Sequence, residues 1–141
     1  MSVGVICVRS VQVASPEETV RAVTARMADA GVGTVVVLGE DRKPVGILTD
    51  RDIALRCVAQ RRDPDTTEVA SVMSVPVTCV HESTPIETAL ARMAGVHARR
   101  LAVVDDDERL VGILALDDVL ELLAEELTSV GKLLRQRTGT Q

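Results

Sequence analysis

Gly46-Ile47-Leu48-Thr49-Asp50-Arg51-Asp52 joins the end of an apolar strand to the start of a helix. A hydroxyl and three carboxylate or guanidinium groups crowd that junction. A second version, Gly112-Ile113-Leu114-Ala115-Leu116-Asp117-Asp118, stands 66 positions later. The same register aligns Val11 with Val77, Ala25-Arg26-Met27-Ala28 with Ala91-Arg92-Met93-Ala94, and Val37 with Val103. It also aligns Asp41 with Asp107, Val45-Gly46-Ile47-Leu48 with Val111-Gly112-Ile113-Leu114, and Asp52 with Asp118. Clusters of identity in one register mark an internal duplication.

Each copy reads as β-α-β-β-α. In the first, Val5 to Val13 is rich in β-branched residues and is expected to be extended. Ser15-Pro16-Glu17-Glu18 has the makings of a helix start, with Ser15 as N-cap and Glu18 closing a capping box. Val20, Val23, Met27 and Ala30 form one apolar stripe, and Gly31 and Gly33 end it. Thr34 to Leu38 is a continuous apolar run, the mark of a buried strand. Residues 39–44 form a polar turn, and Val45 to Leu48 a second strand. A helix capped near Asp50 then carries Ile53, Ala54, Cys57 and Val58. A polar linker with Pro64 and a short helical turn at Glu68 to Met73 lead into the second copy. There Val77 to Val80 is extended, and Thr84-Pro85-Ile86-Glu87 repeats the helix start. Ile86, Ala89, Leu90, Met93 and Val96 repeat the stripe. Leu101 to Val104 and Leu110 to Leu114 repeat the strands around an acidic turn, 105–108. A last helix runs from Asp117 or Asp118 to about Arg135. The caps Ser15 and Thr84 depart from the common register by three residues. Either the first helix starts a turn early, or Ser15-Pro16 belongs to the loop. The expected units are 5–60 and 69–127, with a linker at 61–68 and a helix end and tail at 128–141.

With 141 residues, 46% hydrophobic and 26% charged, the composition is that of a globular chain. No apolar run nears the roughly 20 residues of a membrane span. The first residues show no basic segment followed by an apolar one, so no signal peptide is expected and a cytoplasmic location is. A net charge of −5 and the absence of Phe, Trp and Tyr argue against nucleic-acid binding, which favours basic faces and stacking platforms. Cys7, Cys57 and Cys79 are odd in number and far apart, which suits reduced apolar fillers. With His81 and His97 they show no zinc-ligand spacing. No nucleophile has a visible oriented base, so no enzyme is expected.

Neither copy can bury its sheet alone, so the two are expected to pack sheet to sheet about a pseudo-two-fold axis. That leaves two related clefts, each receiving one strand-to-helix junction. A helix N-terminus offers free N–H groups and about half a positive charge to a phosphate. Thr49 can donate to a phosphate oxygen, and Asp52 can accept the hydroxyls of a ribose. Thr49 and Asp50 equally suit plain helix capping.

The duplicated β-α-β-β-α order, the Gly-Ile-Leu-Thr-Asp-Arg-Asp stretch and Leu101-Ala102-Val103-Val104-Asp105 together resemble a tandem pair of CBS domains, as in stand-alone bacterial-type CBS domain proteins. The resemblance spans about residues 5–125. It implies an α/β fold of the α+β kind and a regulatory, non-enzymatic module. It further implies that an adenosyl ligand such as AMP, ADP or ATP binds between the copies, with no other cofactor and no metal. Asp52 would take a ribose and Thr49 a phosphate, with Ile47, Val77 and Thr78 beside the adenine. Asp118 would serve the second cleft, where Ala115 lacks the hydroxyl; that site is expected to be weaker, altered or empty. Arg99 and Arg100 either face phosphates or are exposed strand-start residues, and Arg51 faces phosphate or solvent. His97 suits a helix C-terminus, His81 has no evident partner, and residues 105–108 form a solvated turn. The broad apolar side of the last helix (Leu120, Leu123, Leu127, Val130, Leu134) packs on its own unit or on a second subunit, since CBS pairs commonly dimerise. The expected partners are therefore a homodimer mate and an unidentified effector protein, with no membrane. The alternative is an adaptor that kept the fold and lost the ligand.

Overall fold

The computed structural model describes residues 1–138; positions 139–141 of the expected tail lie outside the described residues. In chain order the elements are α1 (Val3–Ile6), β1 (Val13–Ala14), α2 (Val20–Ala30), β2 (Thr34–Leu38), β3 (Pro44–Thr49) and α3 (Asp50–Ile53). A π-helical turn, Ala54–Val58, prolongs α3. Then follow β4 (Cys79–His81), α4 (Ile86–Val96), β5 (Arg100–Val104), β6 (Leu110–Ala115) and α5 (Leu116–Thr138). Short 3-10 turns stand at Glu40–Arg42 and Val69–Ser71.

The two copies build identical three-stranded sheets, β1-β2-β3 and β4-β5-β6. The first pair of strands is parallel and the second antiparallel in both. Register repeats with the sequence: Val36 faces Ile47 as Ala102 faces Ile113, and the ladders slip at Val37/Leu38 and again at Val103/Val104. Arg26 donates to the Val13 carbonyl at 2.8 Å, and Arg92 to the Cys79 carbonyl at 2.8 Å. The repeated Ala-Arg-Met-Ala thus serves one purpose twice: Met27 and Met93 fill the core, and the arginine ties the helix to the first strand.

β2 and β5 are buried on both faces, which accounts for their unbroken apolar runs. Val35 and Val37 face the helices with Val23, Met27 and Leu48; Leu101 and Val103 do the same with Ala89, Met93 and Leu114. Their neighbours Val36 and Ala102, related by the duplication, meet between the sheets with Leu110. Sheet-to-sheet packing is therefore as expected.

Two local expectations are corrected. Residues 5–13 are not one extended segment. Val3–Ile6 is a helical turn, because the Val3 and Gly4 amides donate to the Thr84 and Glu82 carbonyls of the second copy (both 2.8 Å). Only Val8 and then Val13–Ala14 pair as β structure. The N-cap of α2 is Thr19, not Ser15; its Oγ1 accepts from the Ala22 N–H. Glu18 does bond back to the Ser15 N–H at 2.8 Å, but that bond closes a loop ahead of the helix. Thr19 and Pro85 are both N-caps and share the common register, so the three-residue discrepancy disappears. Glu18 also receives Arg26, whose guanidinium holds the carboxyl below its ordinary range.

The leading segment of each copy packs into the other. Val3 and Cys7 join the core of the second copy, and Val69 and Val72 that of the first. Val8 bridges to Ile113 and Ser74 to Ile47, again in the same register. The crossings explain the repeated glycine. A Cβ on Gly112 would lie 2.6 Å from the Val8 carbonyl oxygen, and one on Gly46 would lie 2.5 Å from the Met73 sulfur. A flexible thioether can move aside, whereas a carbonyl paired in a β-bridge cannot. Gly112→Ala should therefore lose about 1–3 kcal/mol of stability and Gly46→Ala clearly less. Urea unfolding of both variants checks this; an equal or larger loss at Gly46 contradicts it.

Candidate functional site

β3 ends and α3 begins at Thr49. Its backbone is extended, its Oγ1 accepts from the Asp52 N–H (3.1 Å), and Asp52 Oδ2 accepts from the Thr49 N–H (3.0 Å). This is a complete capping box, so Thr49 rather than Asp50 is the cap. Asp52 is only 8% exposed. A carboxylate so buried needs partners, and it has two more: the Ser74 hydroxyl donates to Oδ1 at 3.0 Å, and Arg56 Nη1 lies 3.9 Å from the same oxygen. Each carboxylate oxygen has two lone pairs, so acceptor capacity remains. The Thr49 hydroxyl uses a lone pair on Asp52 and keeps its proton to donate.

Thr49 opens onto a cleft of about 320 Å³ between the copies. One wall is Ile47, Thr49 and Ser74 with Pro76, Val77 and Thr78; the other is His97 to Arg100, where α4 passes into β5. Of the residues expected at a site, Ile47, Thr49, Val77, Thr78, Arg99 and Arg100 come together here. Asp52 stands one layer behind, bonded to two lining residues. Arg51 is exposed and lines neither cleft. His97 ends α4 at φ 55°, in the register of Gly31, and so presents an imidazole where the first copy has no side chain.

The second cleft, about 260 Å³, is lined by Val8, Ser10, Val11, Gln12, Val32, Gly33, Thr34, Arg100 and Ile113. Nearly every position is the duplication partner of one in the first. The chemistry differs: Gly33 and Thr34 replace Arg99 and Arg100, and Ala115 replaces Thr49. Val8 and Leu122 stand in the registers of Ser74 and Arg56. Asp118, half-exposed in the first turn of α5, makes no side-chain hydrogen bond among the described residues. Arg100 borders both clefts.

Ser74 and Arg56 escaped sequence reasoning. The only signal was that a serine and an arginine stand where the other copy has valine and leucine. His81 has partners after all: Nε2 meets Asp106 at 2.5 Å and Nδ1 meets Ser83 Oγ at 2.7 Å. The Asp106 side chain is 94% exposed, so this chain of groups sits in solvent. The three cysteines are free, and burial pushes the Cys7 and Cys79 thiols up. Among the described residues no three His, Cys, Asp or Glu side chains converge to hold a metal, and no helix is long and apolar enough to cross a membrane.

A family model described as CBS domain matches residues 3–58 and 69–125. The chain is 41% identical over 105 residues to CBS domain-containing protein YhcV of Bacillus subtilis, covering 74% of this chain and 73% of that one. It is 36% identical over 122 residues to uncharacterized protein MK0525 of Methanopyrus kandleri; the match covers 86% of this chain and 62% of that protein's length. The CBS domain pair of protein MJ0100, solved with 5′-methylthioadenosine and S-adenosyl-L-methionine, superposes with a TM-score of 0.77. That match covers 89% of this chain and 98% of the other, and at 24% identity it is a likeness of fold. With two matched units, two three-stranded sheets and two related clefts, the chain belongs to the CBS domain family as a tandem pair, a regulatory ligand-binding module.

Proposed function

We propose that the first cleft binds an adenosine nucleotide as a regulatory ligand, with the ribose hydroxyls on Asp52 and a phosphate at the Thr49 hydroxyl. Arg99 and Arg100 neutralise further phosphate charge. The adenine lies among Ile47, Val77 and Thr78, held by aliphatic contact and backbone groups because the chain has no aromatic residue. The observation that carries this reading is the convergence of these six lining residues on one cleft, with the Asp52 carboxylate immediately behind. Its size stands at the lower end of the roughly 300–1,000 Å³ of small-molecule sites. Charge favours an anionic ligand, since two guanidinium groups share one wall. The second cleft, without the hydroxyl at Ala115, binds more weakly or stays empty. A partner protein reads the occupied state.

The adaptor reading has one observation in its favour: Thr49 and Asp52 already satisfy each other in the capping box. Isothermal calorimetry with AMP, ADP, ATP and S-adenosylmethionine separates the two. We expect one dominant site per chain. Asp52→Asn keeps an acceptor for the cap and should lose at least about tenfold in affinity, about 1.4 kcal/mol. Thr49→Ala should lose affinity and also about 1 kcal/mol of ligand-free stability through the missing cap, with Thr49→Ser recovering both. Absence of binding, or Asp52→Asn binding as the parent does, favours the adaptor.

Residues 116–138 also bear on assembly. Leu120, Leu123, Leu127, Val130 and Leu133 on α5 are all exposed rather than packed on their own unit. We propose that they pair with a second copy. Leu123→Glu combined with Leu127→Glu should convert a dimer to monomer in sedimentation equilibrium; an unchanged mass overturns the pairing.

A further inference from the structure

The Asp52 carboxylate is held by residues that the second cleft lacks. Ser74 lies in the segment that crosses from the first copy into the second. Its backbone is pinned to β3 on both sides: its N–H donates to the Ile47 carbonyl at 2.8 Å, and the Ile47 N–H donates to its carbonyl at 3.1 Å. With the main chain fixed, the hydroxyl is aimed, and it donates to Asp52 Oδ1 at 3.0 Å. Arg56 comes from the other side. Its Nη1 donates to the Val72 and Met73 carbonyls (3.2 and 2.9 Å) and stays 3.9 Å from Oδ1. The same guanidinium therefore fastens the crossing segment and faces the carboxylate. Ser74 itself lines the cleft.

We propose that Ser74 is a positioning residue for ligand binding: it orients the Asp52 carboxylate toward a ribose diol and, with Arg56, makes the first cleft the one that recognises ribose. The assignment rests on the ribose-binding reading of Asp52. A hydrogen bond to a charged acceptor inside a protein is strong enough to set its direction. Oδ1 accepts from Ser74 along one lone pair, which leaves the other for a ribose hydroxyl. In the second copy Val8 and Leu122 can do neither job, so Asp118 is left without an orienting partner.

The test compares AMP with 2′,3′-dideoxyadenosine 5′-monophosphate, which lacks the diol. Ser74→Ala should weaken AMP about tenfold and leave the dideoxy analogue nearly unchanged, with Ser74→Thr restoring AMP. A general structural defect would weaken both alike, and that result overturns the proposal. So does full AMP affinity in Ser74→Ala. A second readout needs no ligand. The Thr49 amide donates to the same carboxylate, so its resonance in a nitrogen–proton correlation spectrum should move in Ser74→Ala and return in Ser74→Thr. If the parent protein binds no adenine nucleotide, the ribose-binding reading itself fails. The Thr49 resonance then decides whether Ser74 orients Asp52: a shift upholds the orienting role, and an unmoved resonance overturns it.

Discussion

Main chain passes over Gly112, and a methionine side chain over Gly46, at distances that leave no room for a Cβ. Those two contacts determine how the copies relate. Because each leading segment lies across the last strand of the other copy, the sheets are fastened by exchange as well as by the apolar layer around Val36 and Ala102. An exchanged segment completes a core that its own copy does not share. Val3 and Cys7 bury themselves where a self-contained unit would have an open edge, and Val69 and Val72 do the same in return. The clefts are consequences of this crossing. Each is bounded on one side by the crossing strand and on the other by the passage from helix to sheet, so neither exists in an isolated copy.

The sequence showed the duplication because identical residues recur where structure is most demanding: a glycine under a crossing chain, an arginine tying helix to strand, a methionine in the core. Strand and helix positions followed, since their periodicity is local. What was illegible was non-local. The β-branched run at 5–13 has strand propensity, yet its first residues turn helically because the second copy supplies carbonyls for their amides; tertiary contact outweighs propensity. Ser15 and Glu18 have capping chemistry and use it, but in a loop, and the cap is Thr19, whose hydroxyl accepts from the Ala22 N–H. Of the site, the residues on β3 and the strand-to-helix junction were readable from their motif. Ser74 and Arg56 were not, because their importance lies in a contact with Asp52 that crosses between copies.

Duplication followed by divergence is visible atom by atom at the two carboxylates. Asp52 is buried, capped into its helix, bonded to a hydroxyl and faced by a guanidinium. Asp118 keeps only its place at the start of a helix. The strand registers are common to both, and the side chains that line the clefts differ. Arg100 borders both clefts.

The exchanged segments also bear on how the chain is made. Val8 pairs with Ile113, which leaves the ribosome about a hundred residues after it. Residues 3–8 must therefore stay undocked until the second copy has emerged, while the first copy gains Val69 and Val72 much sooner. The first copy can close its core on the nascent chain and the second only after release of β6. Long-range pairing of this kind slows folding. It also exposes Val3, Ile6 and Cys7 to other chains until the second core exists, so the duplication sets the order in which the two cores close.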